Sequence, residues 1–181
     1  GVSRNVRVVV LCEDRQHEAF LRRFLRKTHW NTRDLRIERA PMVRGSAESY
    51  VRSRFPRELQ ALRSKGEEEA YLIVLIDGDR QGSHGRISSL ETACVERGTS
   101  PPNNGERVMI CVPTWNIETW IAYLDGQTVD ENRSDYPRLP RQRDCEPAVQ
   151  NLVEMCRERT LRAPFPSSLE AACLEYQRVF G

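Results

Sequence analysis

Lysine is almost absent from this sequence, and its cysteines are not closely spaced. Lys27 and Lys65 are the only lysines, so 26 of the 28 basic residues are arginines, and the net charge is only +2. This charge gives no overall attraction to nucleic acid, although arginine makes planar, bidentate contacts to phosphate. The six cysteines form no CxxC pair. That absence argues against a zinc site and against thioredoxin-like chemistry.

Long apolar runs are absent as well. No segment approaches the roughly 18 apolar residues of a membrane span, and none has the pattern of a signal peptide. Several cysteines lie in apolar segments, where cysteine acts as a small hydrophobic residue. We therefore expect a cytoplasmic protein of a reducing compartment, with no membrane partner. Hydrophobic residues make up 39% of the chain, enough for the core of one compact domain.

Four apolar segments alternate with segments of helical periodicity. The apolar segments lie at 6–12, 35–40, 71–76 and 107–112, and they predict strands. Strands that alternate with helices in this way predict βαβ units. The expected fold is therefore α/β, with a mainly parallel four-stranded sheet flanked by helices.

The remainder of the chain has a different composition. A polar segment rich in proline and arginine covers residues 125–144, and two amphipathic helices are predicted after it. We interpret residues 1–126 as the main domain. Residues 127–181 are then a loop and a C-terminal helical extension, which packs on that domain or on a partner.

Acidic residues follow three of the predicted strands. Glu13 and Asp14 end the first, Asp77 and Asp79 end the third, and Glu118 comes a few residues after the fourth. In an open parallel sheet, ligands bind outside the carboxyl ends of the strands. Carboxylates gathered there repel one another unless a cation compensates, and oxygen ligands suit Mg²⁺ or Mn²⁺.

The Asp77-Gly78-Asp79 segment has two interpretations. Residues i and i+2 of an extended strand point to the same side, so both carboxylates can reach one ion, while Gly78 permits a tight turn. The alternative is an ordinary polar strand end. Glu118 likewise has two interpretations, because an acid at a helix N-terminus also complements the helix dipole.

These positions resemble the Toprim domain of topoisomerases, bacterial primases, RNase M5-type maturases and OLD-family nucleases. The resemblance spans about residues 6 to 124. It rests on an apolar strand that ends in Glu13 and on a later one that ends in Asp77-Gly78-Asp79. The segment Glu118-Thr119-Trp120-Ile121 also looks like a motif of short stand-alone Toprim proteins from bacterial defence loci. A Toprim-like, Rossmannoid fold is therefore implied.

Two positions depart from the Toprim pattern. Asp14 stands where a glycine usually follows the glutamate. OLD-like members carry a second acid in the next turn, for which Glu18 is the nearest match, and His17 occupies the place of that acid. These departures put a second metal position in doubt, and they make His17 a candidate for a role in the site.

The resemblance implies phosphodiester hydrolysis that depends on Mg²⁺ or Mn²⁺, with DNA a more expected substrate than RNA. The implied catalytic residues are Glu13, Asp77, Asp79 and Glu118. The implied metal ligands are Glu13, Glu18, Asp77 and Asp79. Candidates for contact with the nucleic-acid backbone are Arg44, Arg80 and Arg86.

Other functions fit less well. A receiver domain needs a lysine after its last strand, a haloacid-dehalogenase phosphatase carries its DxD on the first strand, and a topoisomerase needs further domains. The main alternative is a degenerate Toprim module that binds an ATPase-containing complex. An ATPase or defence-system protein is the expected partner in either case, and self-association into a homo-oligomer stays open.

Overall fold

The strands form one parallel sheet. The computed structural model describes residues 6–31, 34–42, 46–65 and 69–181. The strands of this part of the chain are β1 (Arg7–Cys12), β2 (Leu35–Arg39), β3 (Ala70–Leu75) and β4 (Val108–Cys111). They lie in the order β2-β1-β3-β4, and every neighbouring pair is parallel. The predicted α/β class with a four-stranded parallel sheet is confirmed.

Helices cover both faces of the sheet. Within the described ranges they are α1 (Arg15–Lys27), α2 (Ala47–Ser64), α3 (Gly82–Glu96), α4 (Ile117–Leu124), α5 (Glu146–Glu158) and α6 (Ser167–Phe180), with a short 3-10 helix at Gln142–Cys145. Successive strand residues point to opposite faces. Val8 and Val10 accordingly pack with α1, α4, α5 and α6, whereas Leu11 packs with α2 and α3.

The C-terminal helices belong to the same core as the sheet. Val149 of α5 and Leu169 of α6 are fully buried in the apolar cluster that contains β1 and α1. A disulfide joins Cys156 to Cys173 across these helices, with the two Cα atoms 5.4 Å apart. The interpretation of cysteine as a small hydrophobic residue is therefore wrong for Cys156. The sequence gives no signal for this pair, because its two members are 17 positions apart and meet only when α5 packs on α6.

None of the helices in the described ranges is both long enough and apolar enough to cross a lipid bilayer.

The order of the strands creates a crevice at the carboxyl end of the sheet. β1 and β3 are neighbours, and the chain leaves β1 toward β2 but leaves β3 toward β4. A crevice opens where the connections of two adjacent parallel strands diverge, and ligands of open α/β sheets bind at this point. The segments directly after β1 and β3 therefore determine what the crevice contains.

Candidate functional site

Glu13 and Asp77 meet directly in the crevice. Glu13 follows β1, and Asp77 comes two residues after β3. The backbone N–H of Asp77 donates a hydrogen bond of 2.5 Å to Oε1 of Glu13. The two residues are 64 positions apart in sequence and share the site only because β1 and β3 are paired.

His17 lies behind these two acids and is completely buried. Its Nε2 is 2.9 Å from Oδ1 of Asp77, and its Nδ1 accepts a hydrogen bond of 3.3 Å from the backbone N–H of Glu13. Asp14 caps α1 by accepting a hydrogen bond from the N–H of His17 at 2.9 Å. The cap places His17 in the first turn of the helix, between the two strand ends.

Opposing influences act on the protonation of His17. Burial lowers its pKa, but the negative charges of Asp77, Asp14 and Glu13 outweigh burial and raise the pKa to about 9. The contact with the Glu13 N–H opposes this rise, because Nδ1 can accept a hydrogen bond only while it carries no proton. A pKa of about 9 would keep the ring protonated at pH 7, but a protonated Nδ1 would then face the Glu13 N–H donor at 3.3 Å. The hydrogen-bond geometry decides, and we assign the ring to the neutral tautomer in which Nε2 donates to Asp77.

The carboxylate of Asp77 also contacts the N-terminus of α4. Its Oδ1 accepts a second hydrogen bond, of 3.0 Å, from the backbone N–H of Ile117. The N-terminus of a helix carries partial positive charge and favours a carboxylate. Among the described residues, both hydrogen bonds to the Asp77 side chain reach Oδ1, which leaves Oδ2 available to a ligand.

Glu13 is paired with a buried arginine. Nη2 of Arg86 donates to Oε2 of Glu13 at 2.9 Å, and Nη1 lies 3.5 Å from Oε1 of Glu48 in the first turn of α2. The side chain of Arg86 is only 3% exposed, and its Nε has no hydrogen-bond partner among the described residues. Arg86 is therefore not a surface residue, and its predicted contact with the nucleic-acid backbone stays a prediction. Its observed partner is Glu13.

Asp79 and Glu118 lie at the mouth of this cluster. Burial raises the pKa of both carboxyl groups, and the charge of Asp77 raises them further. Asp79 is exposed and adopts a left-handed backbone with φ of 47°. Its N–H donates to the carbonyl of Trp115 at 2.9 Å, which joins the end of β3 to the segment before α4.

Gly78 is required for a different reason from the one we predicted. A Cβ at this position would lie 2.9 Å from the carbonyl oxygen of Pro113 and 3.1 Å from the backbone of Gly82. The backbone of Gly78 also donates to that Pro113 oxygen at 2.8 Å. Close approach of two backbones therefore excludes any side chain at residue 78, while the left-handed turn occurs at Asp79.

The remaining predicted residues are not part of the central cluster. Glu18 was a predicted metal ligand, but its carboxylate pairs with Arg39 at 2.7 Å and with Arg22 at 3.4 Å. It points to these arginines because it is one position further along α1 than His17. Arg80 is exposed beside Asp79, and Arg44 lies outside the described residues.

Sequence reasoning missed the partners of Arg86 and underestimated His17. His17 is four residues after Glu13, and this spacing in the first turn of a helix returns a side chain to the strand end. That spacing was a usable signal. Glu48 carried no comparable signal, since its place beside Arg86 depends on how α2 packs on α3.

The cluster brings together groups that could hold a metal ion. One ligand atom from each of Glu13, His17 and Asp77 lies within 4.8 Å of the others. Asp14, Asp79 and Glu118 add carboxylates around this group.

Comparisons of the chain with models of protein families, with curated proteins and with solved structures find no match. Inference about function therefore starts from the residues of this chain.

Proposed function

We propose that this chain is a Toprim-type phosphodiesterase that uses Mg²⁺ or Mn²⁺ to hydrolyse nucleic acid, with DNA preferred over RNA. The observation that supports the proposal is the convergence of Glu13 and Asp77 in the crevice between β1 and β3, with Asp79 and Glu118 close enough to respond to the charge of Asp77. Such a crevice is where open α/β sheets bind their ligands.

Asp77 and Asp79 are the residues that would hold the cation. Asp77 offers its Oδ2, since its Oδ1 is occupied by His17 and by the N–H of Ile117. A bound cation supplies neutralisation of the phosphate charge and stabilisation of the leaving oxygen. His17 orients the Asp77 carboxylate for this task, as an outer partner of a ligand does.

Glu13 acts as the general acid or base. Burial raises the pKa of Glu13, although His17 and Arg86 oppose the rise. A raised pKa keeps the proton on a carboxyl group to a higher pH and so favours a role in proton transfer. Glu118, whose pKa is raised chiefly by burial, is the second carboxyl group suited to proton transfer.

We further propose that Arg80 and Arg44 contact the nucleic-acid backbone and that the protein works in the cytoplasm. There it would serve as the nuclease subunit of a bacterial anti-phage system together with an ATPase partner. Arg80 supports this proposal by its exposure next to Asp79. Arginine at such a position can bind phosphate in bidentate fashion.

The test is cleavage of single- and double-stranded DNA and RNA, with Mg²⁺, with Mn²⁺ and with a chelator. We expect cleavage only with metal, and a loss on the order of 100- to 1000-fold for Asp77→Asn and for Glu13→Gln. Asp135→Asn is the matched control, because Asp135 is a surface carboxylate paired with Arg133. Metal-dependent cleavage that persists at full rate in Asp77→Asn would contradict the proposal.

One observation favours a second function, that of a non-catalytic Toprim module in an ATPase complex. Both oxygens of Glu13 and both ring nitrogens of His17 already have partners within the protein. The cluster is therefore partly satisfied without a cation. Failure of Mn²⁺ to bind in calorimetry, together with co-purification of an ATPase, would favour this second function over hydrolysis.

A further inference from the structure

We infer that this site holds one divalent cation rather than two, and that the buried guanidinium of Arg86 takes the place of a second cation beside Glu13. The inference rests on the proposed function and specifies how the site is charged. It follows from contacts of Arg86, His17 and Glu18 that the Toprim resemblance does not describe.

Arg86 is placed as a resident cation of the site. It is 3% exposed, it donates to Oε2 of Glu13 at 2.9 Å, and Glu48 holds it from the opposite side at 3.5 Å. A buried charge is tolerated only when it is paired in this way. The pairing engages both oxygens of Glu13, because Oε1 accepts from the N–H of Asp77. A second cation at Glu13 would have to compete with the guanidinium for this carboxylate.

The other side chains that a second cation would need are also committed. His17 follows Glu13 by one helical turn, but Nε2 contacts Asp77 and Nδ1 accepts from the Glu13 N–H, so neither nitrogen has a free lone pair. Glu18 is held by Arg39 at 2.7 Å and by Arg22. Asp14 is engaged as the cap of α1. The uncommitted carboxylates are then those of Asp77, Asp79 and Glu118, which suffice for one ion.

The buried Nε of Arg86 is a further hydrogen-bond donor of the guanidinium. This N–H has no partner among the described residues. Buried donors are rarely left unpaired, so this donor next to a cluster of acids calls for an acceptor from water or from a ligand. A phosphate oxygen of the substrate is such an acceptor, and Arg86 would then add positive charge beside the phosphate.

The experiment is a titration of the metal-free full chain with Mn²⁺, followed by calorimetry and by the electron paramagnetic resonance signal of free Mn²⁺. We expect one ion per chain for the wild type and for Arg86→Lys, which keeps the charge. In Arg86→Met we expect a second ion to bind roughly tenfold more tightly than any second ion in the wild type, because Glu13 is released. The double variant Arg86→Met, Glu13→Gln should return to one ion.

The matched control is Arg63→Met. Arg63 also forms a two-point pair with a glutamate, Glu106, but Glu106 precedes β4 and so lies at the opposite end of the sheet. This variant should bind one ion with the affinity of the wild type. Circular dichroism reports whether each variant is folded, and Glu13→Gln alone tests the inference if Arg86→Met does not fold, since Glu13 should not be needed for the single ion.

The outcomes separate the inference from the proposed function. Two ions in the wild type, one ion in folded Arg86→Met, or loss of the single ion in Glu13→Gln would overturn the inference and leave metal-dependent hydrolysis standing. Absence of any Mn²⁺ binding in the wild type would overturn the proposed function itself.

Discussion

The two ends of the sheet are built from opposite kinds of side chain. At the amino end, the rings of Trp30 and Tyr71 lie 4.4 and 4.7 Å from that of Phe180, the last residue of α6. At the carboxyl end, Glu13 and Asp77 face each other around a buried histidine. Aromatic packing is favourable without any ligand, whereas gathered carboxylates are not. The contacts that stabilise the fold without a ligand therefore lie at the amino end of the sheet, and the groups that could bind a ligand lie at the carboxyl end.

Two arginine–glutamate pairs, one at each end of the sheet, also differ from each other. Arg63 and Glu106 are 29% and 18% exposed, and the hydrogen bond from Arg63 lowers the pKa of Glu106. Arg86 and Glu13 are 3% and 8% exposed, and burial raises the pKa of Glu13 in spite of its arginine. The same kind of pair therefore shifts the pKa of its glutamate in opposite directions. The loss of hydration around Glu13 raises its pKa by more than Arg86 lowers it.

The largest expected effect is a loss of stability when the aromatic cluster at the amino end of the sheet is disrupted. Phe180→Ala removes the ring that contacts Trp30, Tyr71 and Tyr176, and it should lower the free energy of unfolding by about 3–5 kcal/mol. Urea denaturation measures this loss. Phe165→Ala is the control, since Phe165 is 38% exposed and should change stability much less. If folded Phe180→Ala lost affinity for Mn²⁺, the two ends would not be independent.

In the oxidised protein, the disulfide should contribute slightly less to stability than the ring of Phe180. It joins cysteines 17 positions apart on α5 and α6, and the chain-entropy relation for such a loop gives about 3 kcal/mol at 25 °C. Reduction, or the pair of substitutions Cys156→Ala and Cys173→Ala, should lower the urea midpoint accordingly. Cys94→Ala offers a comparison at a free buried thiol on the opposite face of the sheet. A midpoint that reduction leaves unchanged would contradict this prediction.

The acidic end should give the protein an unusual dependence on pH. The pKa values of Glu13, Asp79 and Glu118 are all raised in the folded chain. A raised pKa means that folding favours the protonated form, so the associated stability is present below the ordinary carboxyl pKa and is lost as pH rises through the raised values. In chelator, these three groups should therefore make the urea midpoint fall as pH rises above about 4, the ordinary carboxyl pKa.

Added Mn²⁺ should reverse this fall, because it binds the ionised cluster and only the folded chain assembles that cluster. The pKa of Glu106 is lowered, so Glu106→Gln should remove a contribution that grows with pH instead. If the urea midpoint of the Glu106→Gln variant, measured in chelator, rises over the same pH range, the assignment of the site is contradicted.

The smallest expected effect is on nucleic-acid binding, and it follows from substitution of exposed arginines at the two ends of the sheet. Arg80→Ala should weaken nucleic-acid binding a few-fold and reduce the slope of log K against log salt by about one. Arg97→Ala is the matched control, since Arg97 is also exposed but follows α3 at the amino end of the sheet. Fluorescence anisotropy over a series of salt concentrations measures both. Equal effects of the two variants would mean that binding is not confined to the carboxyl end.

Much of the fold was predictable because its elements have local signals. The four apolar segments became β1 to β4, and alternating strands and helices determine a parallel sheet. The site was predictable where it adjoins those strands, as at Glu13 and Asp77. It was not predictable for Glu18 or Arg86, because the direction of a side chain on a helix depends on which face the helix packs.

Local sequence patterns are enough to locate the residues that end the strands, and therefore the acids that gather at the carboxyl edge of the sheet. Strand ends follow from the run of apolar residues and from the turn that stops it, both of which are local. No local pattern shows that His17 and Arg86 share the interior of that edge or that Cys156 meets Cys173. Those contacts join elements far apart in the chain, and their formation depends on the packing of whole helices against the sheet and against each other.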